Sequence, residues 1–472
     1  MTRSVVVMVC LVACSTPPPK PSSRPATVAA QATVAAQAPV AASATAATPA
    51  ATPAATPAPA ESTAARLFNE WIKAFNAEDY DALHAWNAAH RPERPEGGDK
   101  GFREMTGGFE IRRVKDLSPT SVEAIVKGKT DGLFARAELD LDPNDPNRVS
   151  KLQILLAPPP DDILTPEERK ARSIDAARRA AVVDEIAKAL AKSYIKPDKA
   201  ASMAAAIRAH LAKGEYDAIT DGEDFAHRLT DDLHADTRDL HMRVEFGPHA
   251  TTEPPPPPEA TLLEQLGKEN FGFGPIERLP GNIARVEIDF FPEAKLASVR
   301  AAIGERMSQA ADADALILDL RNNGGGDSDT VVFIAGYLFD KPVRLNDIYT
   351  RETNKTTRTW TPAKVPGKRF GRKKPVFVLT SNRTFSGGED FAYTLQAMKR
   401  AIVIGETTGG GAHPVEPISL DDQFLIMMPN AESISPVTHG NWEGTGVVPD
   451  VATTADAALD EALKRATAAI KH

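Results

Sequence analysis

The sequence predicts an α+β domain, a run of helices, and then an α/β core built on a mostly parallel sheet. Three observations carry that prediction. Residues 61–157 place two amphipathic helical stretches ahead of four stretches that alternate apolar and polar residues. Residues 163–245 repeat apolar positions at helical spacing over successive segments. From Ile283 to Val451, short apolar runs alternate with helical patterns, as parallel strands joined by helices do.

Before the first of these units comes a different composition. Residues 1–14 carry Arg3, an apolar run from Val5 to Val12 and the small Ala13 before Cys14, the pattern of an export signal that is too short to span a membrane. Residues 15–60 are Ala, Pro, Thr and Ser with repeats such as ATVAAQ and ATPA, and the only charges are Lys20 and Arg24. Lacking large side chains to bury, that stretch reads as an extended tether. The remaining composition excludes some partners. A net charge of −9 argues against nucleic acid, and the two cysteines, Cys10 and Cys14, cannot staple the folded part.

The α+β unit opens with Leu67, Phe68, Trp71, Ile72 and Phe75 on one helical face, followed by a second helix over Asp79 to Ala89. Strands are expected at FEIRRVKDL, SVEAIVKGK, LFARAELDLD and VSKLQILLA. His84, His90, Asp79 and Asp81 form no chemical constellation, and the acidic residues read as helix-capping and solubilising groups. After Pro158-Pro159-Pro160, Thr165-Pro166 marks a helix start. Apolar faces follow at Val182, Val183, Ile186, Leu190 and Tyr194, at Met203, Ile207 and Leu211, and at Phe225, Leu229 and Leu233.

The core, over residues 261–465, holds the chemistry. Val376 to Thr380 reads as a buried strand, and Ser386-Gly387-Gly388-Glu389 has the spacing of a capping box ahead of Phe391, Leu395 and Met398. Strand, turn and helix put the Ser386 hydroxyl at a helix N-terminus, where free N–H groups can bind an oxyanion. A plain cap is the competing reading, and the first-turn Glu389 and Asp390 are explained by the helix dipole. Residues 315–326, ALILDLRNNGGG, form another buried strand ending in glycines that let backbone approach a substrate. The triplet lacks the Lys-Ser/Thr of a P-loop. No HExxH and no folded cysteine occur, so no metal is expected.

Taken together, TSNRTFSGGEDFAYTLQ, IVIGETTGGGAHP, ALILDLRNNGGG and GNWEGTGVVPDV resemble the catalytic core of the tail-specific protease family, in the tricorn and interphotoreceptor retinoid-binding protein branch, from about Leu164 to Val451. The resemblance implies a ClpP/crotonase-like core, no cofactor, a peptide or unfolded-protein substrate, and Ser386 as nucleophile. It also implies His241, in Asp239-Leu240-His241, as general base, Glu443 as its support, and the Gly325 and Gly387 amides as oxyanion donors. Leu240 departs from the small residue usual there. Relatives with a Ser-Lys dyad carry lysine where this chain has Gly411, which excludes that mechanism at this position. His413 and His439 are alternative bases, and Glu443 has a structural alternative, holding backbone amides in a glycine turn. The short proline-rich connection at TTEPPPPPE leaves no room for the PDZ domain of many relatives.

Residues 61–157 are similar to the nuclear transport factor 2-like cone fold, and 163–245 to the helical bundle of the retinoid-binding-protein branch. Leu11-Val12-Ala13-Cys14 resembles a bacterial lipobox, which implies lipidation at Cys14 and a membrane partner. Ser15 then implies an outer-membrane lipoprotein of the cell envelope. Rival functions are a non-catalytic carrier of apolar ligands or peptides and acyl-CoA chemistry on a related fold.

Overall fold

The structure, a computed structural model, describes residues 61–470 apart from 78, 93–101, 104, 105, 131, 158, 248–258 and 269. The expected export signal, Cys14 and the tether lie outside the described residues. No described helix is long and apolar enough to cross a membrane.

Ser62 caps the first helix, α1 (Thr63–Phe75), its side chain accepting from the Ala65 N–H. Helix α2 spans Asp81–His90. The two helices cover a four-stranded antiparallel sheet in sequential order, β1 (Phe109–Ser118), β2 (Ser121–Gly128), β3 (Phe134–Asp142) and β4 (Asp145–Leu156). Trp71 and Phe75, with ring centroids 4.9 Å apart, lead its core.

Helix α3 (Pro166–Arg172) begins in a capping box of Thr165 and Glu168. The Glu168 carboxylate also accepts from Arg112 on β1 and Lys127 on β2, which ties the sheet to the helices that follow. Those are α4 (Ala176–Ser193), α5 (Pro197–Ala212) and α6 (Gly222–Thr237), leading through a turn into β5 (Arg243–Phe246).

The core begins with α7 (Glu259–Lys268), β6 (Phe273–Leu279), β7 (Ile283–Ile288), α8 (Ala297–Ala310), β8 (Ala315–Asp319) and α9 (Ser328–Ala335). It continues through β9 (Asp347–Thr350), β10 (Lys355–Thr357), β11 (Val376–Thr380), α10 (Gly387–Ala397) and β12 (Ile402–Gly405). It ends with β13 (Val415–Ser419), β14 (Phe424–Pro429), β15 (Ala431–Ile434), β16 (Val451–Ala452) and α11 (Ala458–Ile470). The central sheet runs β16-β12-β11-β8-β7-β6, with every neighbouring pair parallel except β6 and β7. Its strands β8 and β11 are wholly buried, which is why they read as unbroken apolar runs.

One pairing joins distant parts of the chain. Strand β5 lies beside β14 in the sheet β13-β14-β5, and Phe424, Ile426 and Met428 share one apolar cluster with Val183, Leu190, Phe225 and Leu229. The helices before residue 245 and a hairpin beyond residue 414 therefore form one core, although the sequence assigns them to separate units.

Candidate active site

Because β8 and β11 are adjacent and parallel, the loops that leave their C-terminal ends meet. Asn323 organises that meeting. Its backbone carbonyl accepts from Phe385 N–H at 2.9 Å, and its side-chain amide donates to the Ile288 carbonyl at 2.9 Å. Thr384 Oγ1 donates to the Leu320 carbonyl at 2.8 Å, closing the two loops onto each other.

Ser386 sits at the turn between β11 and α10 with φ 52° and ψ −117°, a conformation that an L-residue enters only under constraint. The constraint comes from Glu389, which is fully buried. Its carboxylate accepts from the Ser386 N–H at 2.9 Å, from Thr408 Oγ1 at 2.5 Å, and from the Gly410 and Gly411 N–H groups at 2.6 and 2.8 Å. Sequence reasoning assigned Glu389 to capping alone. It also fastens the Ser386 turn to the loop after β12, and burial pushes its carboxyl up against the pull of those four donors.

The glycines reach the same spot. A Cβ on Gly325, whose φ is 112°, would lie 2.8 Å from Ser386 Cβ and 3.0 Å from the Gly387 nitrogen. The Gly387 N–H, at the first turn of α10, is among those with no intrahelical acceptor. The Gly325 N–H differs from its expected role. It donates to Asn323 Oδ1 at 2.8 Å, so in this conformation it is engaged rather than aimed at an oxyanion.

His241 comes from the turn between α6 and β5, and its ring lies 4.6 Å, centroid to centroid, from Phe385, the residue before Ser386. Its backbone N–H donates to Asp239 Oδ1 at 3.3 Å, while the buried ring Nδ1 has no hydrogen-bond partner. Burial lowers the imidazole to about 4, and Asp239 offsets this only in part.

Glu443 is not bonded to His241. Its Oε2 accepts from the Ala412 and His413 N–H groups at 2.6 and 3.2 Å and lies 3.6 Å from His413 Nδ1. That nitrogen bonds Asp239 Oδ2 at 2.7 Å, so the carboxylate nearest the His241 turn is Asp239, with Glu443 one step behind through His413. The expected Glu443–His241 pairing gives way because the Ala412 and His413 amides, in the segment after β12, hold the carboxylate. Burial and the neighbouring Asp239 push the Glu443 carboxyl up. Burial disfavours His413⁺, but Asp239 and Glu443 outweigh it and raise that imidazole.

Asp239, His413 and Glu443 have ligand-type atoms within 4.8 Å of one another. Within the cluster, His413 Nδ1 and Asp239 Oδ2 bond each other at 2.7 Å. Trp442 fixes the turn carrying Glu443 by donating from Nε1 to the Gly411 carbonyl at 2.8 Å. His439 is exposed in a turn and takes no part. Asp239 was visible in the sequence as the acidic residue two before His241, but its partner His413 lies 174 positions away.

Residues 282–453 match peptidase family S41, and residues 169–269 match the N-terminal domain of that family in eukaryotic IRBP. The chain is similar to the chloroplastic carboxyl-terminal-processing peptidase 2 of Arabidopsis thaliana, 28% identical over 211 residues that make up 41% of this chain and 38% of that relative. It is also similar to a tail-specific protease of Haemophilus influenzae, 31% identical over 28% of this chain and 18% of the relative. The chain thus spans well under half the length of these two relatives. Among solved structures, the photosystem II D1 C-terminal processing protease aligns with a TM-score of 0.38 at 15% identity, covering 59% of this chain and 94% of the other. The chain accordingly carries a peptidase family S41 domain with that family's N-terminal domain ahead of it.

Proposed function

We propose that this protein is a serine peptidase whose nucleophile is Ser386. The observation that carries the reading is the constrained backbone of Ser386, held by Glu389 at the head of α10 against a glycine loop. Strain of this kind is kept where a reactive group has to be presented. In the reaction, the Ser386 hydroxyl attacks a peptide carbonyl, His241 takes its proton and returns it to the leaving amine, and water then releases the acyl group in the reverse sequence. The Gly387 N–H receives the oxyanion, and the Gly325 N–H joins it once the glycine loop turns that amide away from Asn323. Asp239 steadies His241 from behind, with Glu443 acting on it through His413.

The family domain supports a peptide or protein substrate. The lipobox-like start supports export and anchoring through lipidated Cys14, with the 15–60 tether holding the folded part away from an outer membrane in the cell envelope. The pair of helices on a four-stranded antiparallel sheet supports a cone-like domain that presents substrate or regulates access. Labelling by a fluorophosphonate tests the central claim. The chain should be labelled and should cleave an unfolded protein such as casein, and Ser386→Ala should lose both, with turnover falling roughly a million-fold. Absence of labelling, with a lipid copurifying, would instead identify a carrier on the same fold.

A further inference from the structure

A cavity of about 250 Å³ lies between α9, α10 and the segment around β9. Its walls are apolar, with Val331, Leu345, Ile348 and Phe391 among them, and its polar patch is Asp390, Asn346 and Thr394. Asp390 is placed one helical turn beyond Ser386, about 5.4 Å along the axis, and its N–H donates to the Ser386 carbonyl at 2.9 Å. The helix α9 that forms the opposite wall follows directly from the glycine loop. The cavity is therefore flanked by the two elements that leave the nucleophile's turn and the glycine loop.

Its polar patch is incomplete. Asp390 accepts from Asn346 Nδ2 at 2.6 Å and from Thr394 Oγ1 at 3.2 Å, and no cation pairs with it among the described residues. Asn346 is only 4% exposed, and its Oδ1 has no hydrogen-bond partner. The amide cannot turn round to relieve this, because its nitrogen must face the carboxylate. A second carboxylate, Asp329, also lines the cavity, whereas no lysine, arginine or histidine does. A desolvated carboxylate without a counter-charge, beside an acceptor without a donor, is costly unless a partner arrives with both.

We propose that this cavity receives a lysine or arginine side chain of the substrate next to the bond that Ser386 attacks. The aliphatic stem packs on the apolar walls, and the cationic head donates to Asp390 and to Asn346 Oδ1. The placement beside the scissile bond rests on the peptidase reading, while the cationic pocket itself does not.

Two measurements separate them. Ser386→Ala in the full chain, titrated with p-aminobenzamidine and followed by fluorescence, should show saturable binding. Adding Asp390→Asn should weaken it by about tenfold or more, the effect of one charge-assisted pair. Val332→Phe, which narrows the cavity without touching the carboxylate, should weaken it as well and guards against a folding defect in the first variant. No binding, or binding indifferent to both changes, overturns the proposal. In the unmodified chain, cleavage sites mapped in a peptide library should fall after Lys or Arg about tenfold more often than after Leu, with Asp390→Asn erasing that preference. Cleavage confined to apolar positions overturns it too. Amidine binding without cleavage of any peptide keeps the cationic pocket and removes the peptidase reading.

Discussion

The imidazole of His241 occupies the space that a side chain on Gly411 would need: a Cβ there would stand 2.5 Å from His241 Cε1 and 2.4 Å from the Phe385 ring. The imidazole at 241 and a side chain at 411 thus compete for one space, which gives position 411 its glycine on steric grounds. Gly411→Ala should therefore lower kcat/KM by about a hundredfold or more, since displacing a reacting group by roughly 1 Å costs that much. Gly411→Lys should not restore activity through a Ser-Lys pair. Recovery of turnover in the lysine variant would show that His241 yields its place freely.

Glu389 should matter to stability as well as to rate. Glu389→Gln turns an amide N–H₂ toward donors that now bond a carboxylate, leaving at least one of them unsatisfied. A buried unsatisfied group costs about 1–3 kcal/mol, so the urea midpoint should fall and fluorophosphonate labelling should slow. An unchanged midpoint would mean that the loop finds other partners.

The acid limb of the pH profile should be displaced. A general base acts only when neutral, and an ordinary histidine near 6.5 loses that form below pH 6.5. Burial holds His241 at about 4, so its neutral form should persist to about pH 5. Between pH 7.5 and 5.5, kcat/KM should vary by less than about twofold on account of this group. A limb near 6.5 would mean that His241 gains a carboxylate partner when substrate binds.

Glu168 joins the first sheet to the helices. Its hydrogen bond to Arg112 comes first among the influences that hold its carboxyl well below the usual range, with Lys127 adding to it against burial. A depressed pKa means that this stabilisation is fully present above the unfolded carboxyl value of about 4.3 and is lost as pH falls below it. Glu168→Gln should therefore cost about 1 kcal/mol at pH 7 and less as the pH drops below about 4. Equal losses at pH 7 and pH 3 in urea titrations would separate the effect from the charge.

Local patterns made much of the fold legible. The apolar face of α1, the alternation in β2 and β3, and the continuous runs of β8 and β11 are all periodicities that single segments carry. The Ser386 turn was readable for the same reason, since strand, glycines and helix are contiguous. What escaped reading depends on pairings between distant segments. The β5–β14 ladder, the His413–Asp239 bond and the grip of Glu389 on Gly410 and Gly411 all join segments whose own sequences give no sign of the partner. Glu443 shows the limit well. Its place in a glycine turn was visible, but which histidine it faces was decided by the backbone amides of Ala412 and His413.

The far side of the central sheet is closed by α11 through a stripe of small residues. Ala458, Ala462 and Ala466 lie fully buried against Ile283, Ile317, Phe377, Leu379 and Ile404. Leu459, Leu463 and Ile470 pack on the flanks of that stripe, and the alanines at its centre let the helix seat close to the strands. Chains cut short before residue 458 would leave those five side chains facing water, an adhesive surface on the very strands that carry Ser386 and the glycine loop. The last helix is thus the cover on which the solubility of the central sheet depends.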